Sequence, residues 1–134
     1  MSQQMPMPTP RITPYLLYED LPGALEWLAK AFGMRERLRH AGPDGALRHA
    51  EMTFGEDGLV MMGWPGPDFR NPKRLGQVTQ NLLIRVEDVD ASFERAVRAG
   101  AVVLETPNDH PSGDRRCGVE DPEGHRWYFA ARIQ

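Results

Sequence analysis

Tyr15-Leu16-Leu17-Tyr18-Glu19-Asp20-Leu21 has an echo sixty-eight positions on, where Leu82-Leu83-Ile84 leads into Glu87-Asp88-Val89 (19 to 87, 20 to 88). In each copy an apolar run precedes the acidic pair and reads as a strand. At the aspartate the pattern turns helical, because its carboxylate can accept from the first unpaired N–H groups of a helix. Leu21, Leu25, Leu28 and Phe32 fall on one helical face, Pro22 suits the first turn, and Gly33 marks the stop. Val89, Phe93, Ala96 and Val97 form the matching stripe in the second copy, with Gly100 at its end.

After each helix the pattern changes to short strands, over 34–38, 49–54 and 59–64 first, then 101–105, 115–120 and 125–131. Turn chemistry divides them: Gly42-Pro43-Asp44-Gly45, Glu56-Asp57-Gly58 and Asp121-Pro122-Glu123-Gly124. The reading is an α+β fold of two tandem βαβββ modules, module one over 11–64 and module two over 78–132. The Pro/Gly-rich stretch 65–77 is a linker, poor material for helix or strand. Two such modules are expected to pair into an open, curved mixed sheet with helices on its convex side and a ligand-sized hollow on the other. A ferredoxin-like fold with chance similarity between its halves is the competing reading. The coincidence of strand, cap, helix face and glycine stop favours duplication.

With 134 residues, the chain suits a single domain. Hydrophobic residues at 40% and charged residues at 26% argue against wholesale disorder and against a membrane protein. A net charge of -3 offers no general attraction for nucleic acid or anionic lipid, which leaves a small molecule as the expected partner. Cys117 is the single cysteine, so an intrachain disulfide is excluded and a cytoplasmic location is expected. In a strand between Arg116 and Gly118, its thiol reads as a small buried hydrophobe, with a catalytic thiol as the alternative. Residues 1–10, with three prolines and neither a basic nor an apolar run, read as a flexible tail without a leader or membrane span.

Pro14-Tyr15-Leu16-Leu17-Tyr18-Glu19-Asp20, followed by Ala31-Phe32-Gly33-Met34, resembles the opening strand and helix of the vicinal-oxygen-chelate superfamily, that of glyoxalases, bleomycin-resistance proteins and extradiol dioxygenases. Gly113-Asp114-Arg115-Arg116 with Asp121-Pro122-Glu123-Gly124-His125 resembles its closing hairpin. The resemblance covers 11–132 and is nearest to metal-poor glyoxalase-like proteins. It implies a homodimer. It also implies four metal positions, one on the first and one on the last strand of each module, here Thr13, Met62 (or Met61, one residue earlier), Asn81 and Tyr128. None carries the imidazole or carboxylate that a divalent ion prefers, so no metal cofactor is expected. Ordinary glyoxalase I or dioxygenase chemistry, which needs that ion as electrophile, is disfavoured.

Strand alternation nominates other groups for the hollow. Tyr128 shares its face with Arg126 and Ala130, while Trp127 and Phe129 take the opposite face and pack beneath a helix. Arg116 reads either as a fork for a ligand carboxylate or phosphate, or as one half of a surface salt bridge. His49, Glu51 and Thr53 share a face and form either a proton-transfer pair in the hollow or a solvated polar row. Trp64 either stacks on a flat ligand or serves packing or a dimer contact, and His110 is either a lid residue or merely exposed. The expected function is metal-free binding of a small molecule, with Trp64, Asn81, Arg116, Tyr128 and Met62 as contacts and antibiotic or metabolite sequestration as its purpose. A lyase or isomerase using His49 and Glu51, or an atypical metal site, is the alternative.

Overall fold

A computed structural model of the chain describes residues 10–133. The tail expected over 1–10 therefore lies outside the described residues apart from Pro10. The elements are β1 (Tyr15–Leu17), α1 (Leu21–Phe32), β2 (Arg35–Ala41), β3 (Leu47–Phe54), β4 (Gly58–Gly63), α2 (Pro72–Leu75), β5 (Asn81–Arg85), α3 (Val89–Arg98), β6 (Val102–Asp109), β7 (Asp114–Glu120) and β8 (Arg126–Arg132). They form two four-stranded mixed sheets, ordered β1-β4-β3-β2 and β5-β8-β7-β6. The βαβββ repeat is thus present twice with one topology. In each copy the first strand runs parallel to the last and the remaining neighbours are antiparallel.

The described residues divide into two compact units, 10–29 with 33–69, and 30–32 with 70–133. In the first unit, Asp20 accepts from the Gly23 N–H at 3.1 Å, and Gly33 in the left-handed region (φ 76°) closes α1. A cap of this kind is worth about 1 kcal/mol. Leu21, Leu25 and Leu28 from α1, Leu16 from β1, Ala50 and Met52 from β3, and Met62 from β4 are among the buried side chains of this unit. Strand β2 is exposed along its length, and its sequence Arg-Glu-Arg-Leu-Arg-His-Ala suits an edge strand, where charge discourages pairing with other chains.

In the second unit Asp88 repeats the cap, accepting from the Ala91 N–H at 3.0 Å, and α3 packs on β6, β7 and β8. Val89 and Ala96 are buried as expected, but Val97 is left 39% exposed, so the α3 stripe is narrower than its periodicity indicates. The last turn of α1 belongs to this unit. There the Phe32 ring stands edge-on to Trp127 at 5.2 Å and to Phe129 at 5.1 Å, a favoured aromatic geometry. Both β8 aromatics are buried, on the face the sequence assigns them.

Other expectations change as well. The linker contains a helical turn, α2, because Asn71 caps the Arg74 N–H at 2.9 Å, Pro72 fits the first helical position, and Gly76 (φ 80°) ends it. Strand β6 continues past Glu105 to Asp109 despite Pro107, because register shifts on either side of Glu105 spare the proline from a ladder hydrogen bond. Among the described residues no helix is long and apolar enough to cross a membrane.

The closing turn is organised by one carboxylate. Asp121, 1% exposed, accepts from the N–H groups of Glu123 and His125, both at 3.0 Å, and from the Trp127 indole at 3.1 Å. Replacing Asp121 by Ala leaves three buried donors without this acceptor. Urea unfolding is expected to register a loss of about 3 kcal/mol or more, with Asp121→Asn losing clearly less because it keeps one acceptor oxygen.

Candidate functional site

Each sheet has a face that is not packed into its unit's core, and the cross-strand register determines which side chains share it. In the first unit Tyr15 pairs with Met61, Met61 with Glu51, and Gly63 with His49, so these residues stand on one open face. The register assigns Met62 to the opposite, core side, where it is 0% exposed. Counting from Gly58 therefore misses by one residue: Met61 holds the open-face position, and Met62 is not placed to meet a ligand there.

On this face four side chains form a continuous chain of polar contacts. Tyr15 Oη lies 2.7 Å from His49 Nδ1, His49 Nε2 lies 3.1 Å from Glu51 Oε2, and Arg37 Nε lies 3.2 Å from Glu51 Oε1. A carboxylate oxygen only accepts, so Nε2 carries the hydrogen toward Glu51, and Nδ1 of the neutral ring accepts from the Tyr15 hydroxyl. Glu51 is buried while Tyr15 is 48% exposed, so the chain runs from the sheet interior out to solvent. Strand alternation reveals the His49–Glu51 pair. It does not reveal Arg37, which arrives through a β-bulge: β2 shifts register between Glu36 and Leu38, and the extra residue is free to turn its side chain to Glu51. Nor does it reveal Tyr15, thirty-four positions from His49 in the chain.

In the second unit the register groups Leu83, Tyr128 and Gly118 in one row, with Arg85, Ala130 and Arg116 in the next and Asn81, Arg126 and Glu120 on the other side. A Cβ on Gly118 would stand 2.5 Å from Tyr128 Cε2, so the tyrosine ring covers the glycine. Gly63 serves Tyr15 in the same way, its absent Cβ leaving space that would otherwise lie 2.9 Å from the Tyr15 hydroxyl. Arg116 sits with its guanidinium 5.6 Å from the Tyr128 ring centre and pairs with Glu105 through contacts of 3.0 and 3.3 Å. Hydrogen bonds from Arg116 first, and then from Asn108, hold the Glu105 carboxyl below its ordinary range. The salt-bridge reading of Arg116 describes the chain as it stands.

The remaining sequence candidates have neighbours of their own. Trp64, half-buried just beyond β4, carries the Arg48 guanidinium 4.5 Å over its ring. Asn81 is exposed, and its partner in register is Arg126. His110 accepts from the Ser112 N–H at 3.2 Å within the β6–β7 turn. A cleft of about 130 Å³, lined by Lys73, Gly76, Gln77, Val78, Glu120 and Arg126 among others, lies in the second unit. It is smaller than the roughly 300 Å³ at which pockets for drug-sized ligands begin. Cys117 is fully buried, and burial pushes its thiol up to about 11, which removes it from nucleophilic roles at neutral pH.

The family model of the glyoxalase/bleomycin resistance protein/dioxygenase superfamily matches residues 11–129. The chain belongs to that superfamily. It is 36% identical over 131 residues to an uncharacterised protein of Mycobacterium bovis, covering 93% of this chain and 85% of that one. Among solved structures it resembles TioX from a Micromonospora species at 33% identity and a TM-score of 0.74, covering 93% of this chain and all of that one. Glyoxalase I of maize matches at 19% identity and a TM-score of 0.72, over 91% of this chain and 45% of that longer one, and shares the fold.

Metal-dependent chemistry in this superfamily needs lone-pair donors on the open faces. With the register corrected, the four positions hold Thr13, Met61, Asn81 and Tyr128, a set that does not fit a divalent ion. The Leu16–Met62 pairing in β1–β4 corresponds to Ile84–Phe129 in β5–β8, which independently makes Met61 the counterpart of Tyr128. Among the described residues no group of three or more His, Cys, Asp or Glu converges as a metal site requires. The His and Glu that do share a face are already committed to Tyr15 and Arg37.

Two outcomes follow for the second unit. Cys117 is expected to resist a thiol reagent at pH 8 in the native state and to react once urea unfolds the chain. Since its folded value lies above the ordinary thiol value, the unfolded state loses the proton first, and stability should fall as pH rises from about 9 toward 11. Cys117→Ala should flatten that alkaline slope. Gly118→Ala is expected to cost about 1–3 kcal/mol in urea unfolding by displacing the Tyr128 ring. Gly118→Ala combined with Tyr128→Ala should cost less than the sum of the two, the signature of direct contact.

Proposed function

We propose that this superfamily member binds a small, flat organic molecule without a metal, in the manner of a sequestering protein for an antibiotic or a metabolite. The observation that carries this reading is the Tyr128 ring laid over Gly118 with Arg116 beside it. An aromatic platform backed by a glycine offers a broad surface for stacking at small entropic cost, since a tyrosine has few rotors to fix. Arg116 adds a planar donor for a ligand oxygen, provided the ligand competes with Glu105 for it. The donor chemistry at Thr13, Met61, Asn81 and Tyr128 favours binding over metal-assisted turnover. Asn81 belongs in this reading as a polar contact, and Trp64 as a stacking surface of the first unit taken by itself, whereas Met62 is withdrawn from it. A homodimer and a cytoplasmic location are part of the same proposal.

Thermal-shift screening against aromatic peptide antibiotics and related planar compounds, bleomycin included, is expected to find ligands that raise the melting temperature. Tyr128→Ala should weaken a hit by about tenfold, which corresponds to roughly 1.4 kcal/mol. Arg116→Ala should weaken ligands that carry a carboxylate more than neutral ones. Stoichiometric zinc, nickel, manganese or iron in protein purified without chelator, lost on replacing residues of the open faces, would overturn the metal-free reading. A screen that stabilises nothing would overturn the binding reading.

A further inference from the structure

We infer that Tyr15, His49 and Glu51 form a proton-transfer triad in which the exposed Tyr15 phenol is the reactive group, a nucleophile toward small molecules carrying an activated acyl group. The geometry repeats the logic of a nucleophile, a base and an orienting carboxylate. Tyr15 Oη is 2.7 Å from His49 Nδ1, the nitrogen that the Glu51 contact at 3.1 Å leaves free to accept a proton. Glu51 fixes the ring tautomer and stabilises the imidazolium that forms when the phenolic proton arrives. Arg37 holds the second carboxylate oxygen at 3.2 Å, so the carboxylate is fixed on both sides. Glu51 is a positioning residue, Tyr15 bonds to the ligand, and His49 holds the phenolic proton and hands it to the leaving group.

Three features set Tyr15 apart from a phenol that merely decorates a surface. Its ring rests over Gly63, a position where a Cβ would fall 3.0 Å from Cε1 and 2.9 Å from the hydroxyl, so the phenol is seated by the sheet rather than free in solvent. It remains 48% exposed, which leaves the oxygen open to attack a ligand. Its partner His49 lies on the adjoining row of the same face, with Arg35, Arg37 and His40 of β2 as further charged or titratable groups there. In the reaction the phenolic proton passes to His49 Nδ1 as the Tyr15 oxygen bonds to the acyl carbon. The bond from that carbon to the leaving group breaks, and the leaving group departs with the electron pair and takes the proton from His49.

The test uses N-acetylimidazole as the acyl donor on the full chain, with acetylation followed by peptide mass spectrometry at each of the three tyrosines. Tyr15 is expected to react at least about tenfold faster than N-acetyltyrosinamide and faster than Tyr128, since a positioned base contributes this much or more. Its rate should level off above neutral pH, where a free phenol continues to gain about tenfold per pH unit. His49→Asn keeps an acceptor near Tyr15 but cannot hold the proton, so it should abolish the advantage and restore the free-phenol slope. Glu51→Gln should lower the rate to an intermediate level, and it carries the test if His49→Asn does not fold. Tyr18, buried in the same unit, should stay unreactive in each variant that is native, which gauges its folding. Tyr15 reacting like N-acetyltyrosinamide, or an unchanged rate in folded His49→Asn, overturns the triad. The substitutions that decide the ligand proposal, Tyr128→Ala and Arg116→Ala, lie in the second unit, so the two proposals fail separately.

Discussion

The parallel pairing of the first strand with the last in each unit is the constraint on which the open faces depend. Side chains alternate with a period of two along a strand, so a slip of one residue would send Tyr15 and Met61 into the core and bring Leu16 and Met62 out. Strand β1 has only three residues, and it is fastened beyond its ends by Met61 N–H to the Pro14 carbonyl and Tyr18 N–H to the Gly63 carbonyl, both 2.9 Å. Those bonds fix the register that puts Tyr15 within reach of His49. In the second unit the Val86 N–H bonds the Ala130 carbonyl at 3.0 Å and extends the β5–β8 pairing in the same way.

Given that register, the edge strands complete each face by the same device with opposite charge. A bulge in β2 delivers Arg37 to Glu51, while the shifts in β6 deliver Glu105 to Arg116. A bulge suits this purpose because it turns one side chain without disturbing the rest of the ladder. The central-strand charge would be costly to hold away from water without a partner, and the edge-strand partner offsets that cost. The result is a preorganised carboxylate on one face and a preorganised guanidinium on the other.

The repeat has also diverged in where its tyrosines stand. Glycine under tyrosine occurs in both units, but on different strands: Gly63 of β4 lies under Tyr15 of β1, and Gly118 of β7 lies under Tyr128 of β8. The position of Tyr15 is Leu83 in the second unit, and that of Tyr128 is Met61 in the first. One scaffold therefore presents a polar relay on one sheet and an aromatic platform on the other.

The sequence by itself determined the repeat, the two capped helices, the turns and the burial of Trp127 and Phe129, because each rests on interactions within a few residues. Asp20 and Asp88 cap helices that begin beside them, and Asp121 organises a turn closed by its own near neighbours. It also brought out His49 with Glu51, since residues two apart on a strand must share a face. Only the tertiary structure decided that Met61 and not Met62 stands on the open face, that Arg37 reaches Glu51, and that Tyr15 meets His49 across thirty-four positions. Each of those depends on how distant strands are aligned and where a bulge interrupts them. Backbone pairing between remote segments sets that alignment, and local periodicity carries no record of it.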